Sequence, residues 1–337
     1  MRWLEQQWYR NDAAALALRW LLWPFSLLFA ALATLRLIAY RRGIFHTTKL
    51  PLPVVVIGNL SVGGTGKTPL TIALAGQLLQ RGLRPCIISR GYGGSARLPQ
   101  AVDARSNPDE VGDEPVLLAR RSGCPVWVGA DRVAAALALL TAHPECDILL
   151  SDDGLQHYAL ARDFEIAVID AARGIGNGCR LPAGPLREPP SRLASVDAVV
   201  LNGERKQAAF LPAHNAVYGM QFASCTFSKL RDPRQQVPAT YFADKEVHAV
   251  AAIGNPQRFF LQLEALAIKH HAHGFPDHHR FNAAEIDFGA GAEVIMTAKD
   301  AVKCERFALE NHWVCQIDAL LDGDLAKQIT DQLGRSL

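Results

Sequence analysis

Two hydrophobic regimes divide the chain. From Ala13 to Ala39 apolar residues run almost unbroken, with charge only at Arg19 and Arg36. That length predicts one long helix apolar on nearly every side. From residue 52 the pattern changes to short β-branched runs alternating with helical periodicity, the signature of a parallel sheet with crossover helices. Strands are expected at Leu52–Ile57, Pro85–Ser89, Pro125–Gly129, Asp147–Ser151, Phe164–Ile169 and Ala198–Leu201, with an amphipathic helix at Pro69–Leu79. Two Gly/Pro-rich stretches, about Gly91–Asn107 and Ala172–Pro190, read as loops, the second long enough to suspect function. After a composition shift near Asn202–His214 the rhythm resumes with strands at His248–Ile253, Glu293–Met296 and Trp313–Ile317 and a helix at Pro256–Ala267. These elements predict two α/β lobes, with the cleft between them as the ligand site.

Composition sharpens this picture at the N-terminus. The 337 residues carry a net charge of +2, but residues 1–50 hold seven basic and two acidic residues, +5, leaving the body at −3. An acidic body argues against nucleic-acid binding. The uncharged stretch between Arg19 and Arg36 is 16 residues, about 24 Å as a helix against a hydrocarbon core of about 30 Å. With both arginines snorkelling, the segment crosses the bilayer or lies deep in one leaflet. Trp20, Trp23 and Tyr40 suit the interface, and Arg36, Arg41, Arg42 and Lys49 would face anionic cytoplasmic lipid. A cleaved signal peptide fits poorly with Glu5 and Asp12, and a buried core helix fits poorly with so apolar a surface at a terminus. The seven cysteines are scattered, without a C-x-x-C pair, and read as reduced thiols.

The chemistry starts at Ser61-Val62-Gly63-Gly64-Thr65-Gly66-Lys67-Thr68, between a strand and a helix. The glycines let backbone N–H groups curl around phosphate oxygens, Lys67 reaches the β/γ-phosphates, and the Thr68 hydroxyl suits Mg²⁺. Ser61 stands where such loops usually have Gly. Asp152 and Asp153 end a parallel strand beside this loop, where one can hold the cation. Gln156 and His157 share that rim. Gly112-Asp113-Glu114-Pro115 follows the loop carrying Arg90 and Tyr92 and offers a carboxylate that can accept a hydroxyl proton. Five histidines surround Gly274–Asp277, but without nearby Cys they read as a solvated loop with one functional His rather than zinc. Thr297-Ala298-Lys299-Asp300 has its lysine one place late for guanine reading. A phosphate-loop kinase with a soluble acceptor leaves the apolar helix without a role, and a tethered GTPase lacks its base-reading motif.

In order and spacing these motifs resemble the tetraacyldisaccharide 4′-kinases, the lipid A kinases of Gram-negative bacteria. The likeness runs through SVGGTGKTP, SRGYGG at 89–94, VGDEP at 111–115, DDGLQH at 152–157, LPAGPLREP at 181–189, IGNPQRFF at 253–260, FPDH at 275–278 and TAKDAVK at 297–303. Ser61 and Pro69 are ordinary in that family. The resemblance implies a P-loop NTPase-like parallel sheet, a second smaller α/β lobe and an apolar membrane helix, divided as 1–45, 46–213 and 214–337. It implies ATP- and Mg²⁺-dependent phosphorylation of the 4′-hydroxyl of a membrane-embedded tetraacyl disaccharide 1-phosphate. The helix would hold the protein on the inner membrane with its body cytoplasmic, with neither nucleic acid nor an obligate protein partner. By resemblance Asp113 is the base, paired with His278 or the adjacent His279. Lys67 is catalytic, and Asp152, Asp153 and Glu114 belong to the metal site. Arg90, Tyr92, Gln156, His157, Arg187 and Glu188 line the substrate or active-site loops.

Overall fold

The computed structural model describes residues 2–10, 12–203, 211, 216–222, 225–289 and 291–334. Helix α1 (Arg2–Gln7) precedes α2 (Ala13–Arg41), whose N-terminus is capped by Asp12 accepting from the Ala15 N–H at 2.9 Å. The first lobe then lays down β1 (Val54–Gly58), α3 (Lys67–Gln80), β2 (Pro85–Ser89), β3 (Gln100–Val102), α4 (Pro108–Val111), α5 (Asp113–Arg121), β4 (Val126–Val128), α6 (Arg132–Ala142), β5 (Ile148–Ser151), β6 (Phe164–Asp170), β7 (Ala198–Asn202) and β8 (Val217–Phe222). The second lobe contains β9 (Thr226–Lys229), β10 (Gln236–Val237), β11 (Val247–Ala251), α7 (Pro256–Ala265), β12 (His271–Gly274), β13 (Glu293–Thr297), α8 (Ala298–Cys304) and β14 (His312–Gln316). The chain ends with β15 (Ala319–Leu321) and α9 (Leu325–Gln332).

Nine strands form the large sheet in the order β15-β8-β7-β6-β1-β5-β2-β4-β3. Seven run parallel, and only the edges β15 and β3 are antiparallel. Alternation within β1 builds both faces. Val55 and Ile57 pack with Leu70, Leu74 and Leu78 of α3, whereas Val54 and Val56 pack with Leu139 of α6 and Leu149 of β5. β1 is therefore buried along its whole length, which explains its unbroken apolar run. The second sheet, β10-β9-β14-β13-β11-β12, is covered by α7 through Phe259, Phe260 and Leu263 and by α8 through Ala301 and Cys304.

The expected strands are present, but three features differ from the sequence pattern. The 91–107 loop contains β3, an edge strand too short to show alternation. The five-histidine stretch is partly strand, with His271 and His273 in β12. The composition shift at 202–214 falls largely outside the described residues, and the boundary at 213/214 is crossed twice. Downstream of it, β8 and β15 complete the first sheet, and α9 buries Leu325 and Ile329 in the same core as α3.

Helix α2 docks by one face only. The Ser26 hydroxyl donates to the Arg180 carbonyl at 2.7 Å and accepts from the Ala183 N–H at 2.9 Å, and Arg180 donates to the Ala30 carbonyl at 3.2 Å. The Trp8 indole donates to the Pro182 carbonyl at 3.0 Å. Leu21, Phe25, Leu28, Leu32 and Leu35 recur at alternating four- and three-residue spacing on the opposite face, and all are exposed.

Candidate functional site

The loop after β1 is shaped before any phosphate meets it. The Asn59 amide donates to the Gly63 carbonyl at 3.3 Å, the Val62 N–H to the Pro185 carbonyl at 2.8 Å, and the Asn202 amide to the Thr65 carbonyl at 2.9 Å. Ser61 bridges to Leu186, tying the loop to the 172–190 segment. Gly66 caps α3 with φ +96°, and a Cβ there would lie 2.4 Å from the Asn202 amide nitrogen. Only glycine fits that backbone and that space. The first N–H groups of α3 have no intrahelical partners and face the loop, a natural anion cradle. Lys67 opens the helix, and Thr68 follows it, buried.

Two carboxylates meet this loop in opposite states. Asp152 is fully buried at the end of β5; its Oδ1 accepts from the Thr71 hydroxyl at 3.3 Å, while Oδ2 has no hydrogen-bond partner. Burial, with Glu114 nearby, pushes its carboxyl up to about 7. Asp153 sits in the left-handed region, φ +50°, which swings its carboxylate to 3.4 Å from Lys67 and 3.5 Å from Arg187. Burial raises its pKa, but Lys67, Arg187 and Arg132 outweigh this and hold it below the usual range. An orphaned buried carboxylate oxygen beside a hydroxyl-bearing phosphate loop is a hard, oxygen-only donor set, and it fits magnesium. Among the described residues no group of three His, Cys, Asp or Glu side chains could hold a metal ion, and none forms at the histidine cluster.

Asp152 also gives a prediction with a defined sign. Its carboxyl is held near 7 in the folded chain against 3.8 ordinarily, so folding favours the protonated form and stability falls as pH rises through this window. Asp152→Asn should raise Tm by about 4 °C at pH 8 and by little at pH 4. The same change should remove stabilisation by magnesium, read by calorimetry with and without the cation.

A second centre joins the lobes. Asp113 begins α5 and is 4% exposed; its Oδ1 accepts from the Glu114 N–H at 2.9 Å. His278, held at φ +58°, places Nδ1 3.1 Å from both Asp113 oxygens. His279 turns away and bonds Glu285 at 3.0 Å, so His278 is the histidine that touches Asp113. Burial opposes ionisation of Asp113, but the His278 hydrogen bond and the charges of Lys299 and Lys303 prevail and bring its pKa to about 2. Burial lowers the His278 pKa, but the Asp113 hydrogen bond more than offsets this and leaves it raised. Tyr92, exposed, leans on the His278 ring at 4.9 Å between centroids.

The remaining expected residues fall into two groups. Arg187 reaches the loop through Asp153 and donates to Gln156 at 3.3 Å; Gln156 donates to Glu188 at 2.7 Å. Glu188 also accepts from the Tyr158 hydroxyl at 2.8 Å and from Arg192 at 3.2 Å, so it braces Gln156, which in turn accepts from Arg187. His157 is kept neutral, its pKa brought down to about 4 by burial and by Arg132 and Arg162. Arg90 is exposed at the end of β2. The Glu114 carboxylate is engaged by Lys299 at 2.8 Å.

Several groups not singled out from sequence complete the site. Asn202 ends β7, joining the phosphate loop to Arg258 of the second lobe, and Arg173 donates to the Gly254 carbonyl at 3.2 Å. A Cβ on Gly254 would lie 2.7 Å from the Gly64 nitrogen, so the second lobe rests directly on the phosphate loop. Lys299 and Lys303, four residues apart on α8, both face the Asp113 centre. Their i, i+4 spacing in TAKDAVK was the available signal.

Comparison with known proteins gives one answer. The family model for LpxK, tetraacyldisaccharide-1-P 4′-kinase, matches residues 18–334. The chain is 50% identical over 334 residues to the tetraacyldisaccharide 4′-kinase of Methylobacillus flagellatus, covering 99% of this chain and 96% of that one. It is 52% identical over 332 residues to that of Nitrosococcus oceani, covering 97% and 93%. Among solved structures it is similar to the "apo" form of LpxK from Aquifex aeolicus in complex with ATP, with TM-score 0.78, 29% identity and coverage of 94% and 99%.

Proposed function

The chain belongs to the tetraacyldisaccharide-1-P 4′-kinase family, and from that premise we propose how its side chains carry out ATP-dependent phosphorylation of the 4′-hydroxyl of a tetraacyl disaccharide 1-phosphate in lipid A biosynthesis. The observation that carries the assignment of roles is the meeting of Asp113 and His278, from different lobes, where the second lobe also rests on the phosphate loop through Gly254. Residues 61–68 cradle the triphosphate of ATP through backbone N–H groups. Lys67, now paired with Asp153, turns to the β/γ-phosphates. Thr68, Asp152 and Asp153 would hold magnesium, which when bound would supply neutralisation of phosphate charge, and Glu114 lies close enough to Asp152 to shape that site. Arg187 stands beside Asp153 to offset charge on the transferred group. Arg90 and Tyr92 present the acceptor sugar, while Gln156, His157 and Glu188 hold the rim in place.

In the reaction the 4′-oxygen forms a bond to the γ-phosphorus as the bond to the β-bridging oxygen breaks. The hydroxyl proton passes to the Asp113–His278 pair, and ADP leaves. Phosphoryl transfer asks the protein mainly for position and charge. A carboxylate oriented at two oxygens by one imidazole, with a backbone N–H on Oδ1, supplies the first. Lys67 and the loop supply the second.

The acceptor's four acyl chains keep it in the bilayer, since each buried methylene contributes about 0.8 kcal/mol. The α2 stripe and the basic residues Arg36, Arg41 and Arg42 support a reading in which the body works at the cytoplasmic face of the inner membrane. The bonds of α2 to the 180–183 loop along its middle favour a helix lying in the interface over one that crosses. Labelled ATP, magnesium and the disaccharide 1-phosphate in anionic vesicles should yield a 4′-phosphorylated product. Leu21→Glu/Leu28→Glu/Leu35→Glu should cut that vesicle activity about tenfold or more and move the protein to the soluble fraction. Activity on detergent-dispersed acceptor should stay within about twofold, and equal losses in both assays would sever the link between helix and acceptor.

A further inference from the structure

The base Asp113 belongs to the first lobe, but the cations around it come from the second. Lys303 is the least expected of them. Its side chain is 10% exposed, with Nζ 2.8 Å from Asp300 Oδ1 and 3.7 Å from Asp113 Oδ2. That ammonium makes no well-directed hydrogen bond. Asp300 is itself fixed, fully buried, by the Thr297 hydroxyl at 2.7 Å and the Ala252 N–H at 2.9 Å. Asp300 therefore sets where Lys303 stands, and Lys303 lines the same small cleft as Asp113, His278 and Tyr92. A buried ammonium shared between a structural carboxylate and the reaction's base is costly unless it is used.

We propose that Lys303 is a positioning residue for phosphoryl transfer: anchored by Asp300, it orients the Asp113 carboxylate, and so makes the base competent only when the two lobes are docked. This rests on the kinase assignment above and deepens it. Lys299 differs in place and partners, its Nζ lying 2.8 Å from Glu114, 3.2 Å from Asp277 and 3.4 Å from His278 Nε2. It steadies the imidazole, whereas Lys303 faces the carboxylate oxygen directly. Asp109 and Arg280, also on the cleft wall, complete the charges facing the base.

Removal of the cation leaves the Asp113 carboxylate oriented by His278 and the Glu114 N–H. The test is kcat and KM for the full chain on detergent-dispersed acceptor. Lys303→Met is expected to lower kcat about 30-fold and to leave KM for ATP unchanged. Lys303→Arg should restore most of kcat. If Lys303→Met does not fold, Lys303→Met/Asp300→Asn removes the buried pair together and carries the same readout. A Lys303→Met kcat within about twofold of wild type, or a loss confined to KM, while wild-type protein phosphorylates the glycolipid overturns the role of Lys303 alone; a wild-type protein that forms no product overturns the kinase assignment instead.

Discussion

Replacing Lys67 with alanine is expected to lower kcat/KM for transfer about 10³-fold, the scale seen when a preorganised charge on a developing anion is removed. The structure says why this loss should be catalytic rather than structural. Among the described residues Lys67 is bonded through Nζ only to Asp153, at 3.4 Å, and Asp153 keeps Arg187 at 3.5 Å when the lysine is gone. The loop's shape comes from the hydrogen bonds of Asn59, Pro185 and Asn202 to its backbone. Tm should therefore change by no more than about 2 °C, since Asp153 keeps a cationic partner. Lys67→Arg should recover little, because a forked guanidinium does not substitute for a compact ammonium in a backbone cradle. A variant with near-normal turnover would remove the phosphate loop from the reaction.

Asp113→Asn is expected to lower kcat by about 10²–10⁴-fold, the range for loss of a general base, with KM for ATP nearly unchanged. It should also destabilise the chain in a pH-dependent way. Asp113 has a pKa of about 2 in the fold against 3.8 ordinarily. Its charged form is favoured by folding, so the contribution, about 2 kcal/mol, is present above about pH 4 and is lost as pH falls toward 2. Asn at this place leaves Lys303 and His278 without their shared carboxylate. Thermal melts of the wild type and the variant should thus differ at pH 7 and converge in acid. His278→Asn should reduce kcat less, about tenfold to a hundredfold, because the carboxylate remains. A melt gap that persists at pH 2 would contradict the charge assignment, whatever the kinetics show.

Much of this was legible in the residues because it is local. β1, β2 and β5 are short apolar runs closed by turn residues, and Gly-Lys-Thr at a strand-to-helix junction has few other uses. Asp152 and Asp153 were visible as the end of a strand. Their opposite protonation states were not, because burial of one and the left-handed turn of the other arise only in the fold. His278 and His279 are equivalent as letters and are separated by a backbone angle and by Glu285. Glu188 was read as a site residue, and only the fold shows that its carboxylate is shared among Gln156, Tyr158 and Arg192. The residues of β8 and β15 were counted with the second lobe, whereas they pair with the first sheet, because strand partnership is set by distant chain, not by pattern. Lys303 is one of many lysines until α8 is laid against α5.

The pairing of β8 with β15 has a mechanical consequence. Residue Phe222 lies opposite Ala319 in that ladder, so the chain departs for its smaller half and returns at almost the same point. That half is in effect a cassette hung on two neighbouring ribbons. Any swing of that half would pivot about this double stalk and would carry Gly254 relative to Gly64 and His278 relative to Asp113 in one stroke.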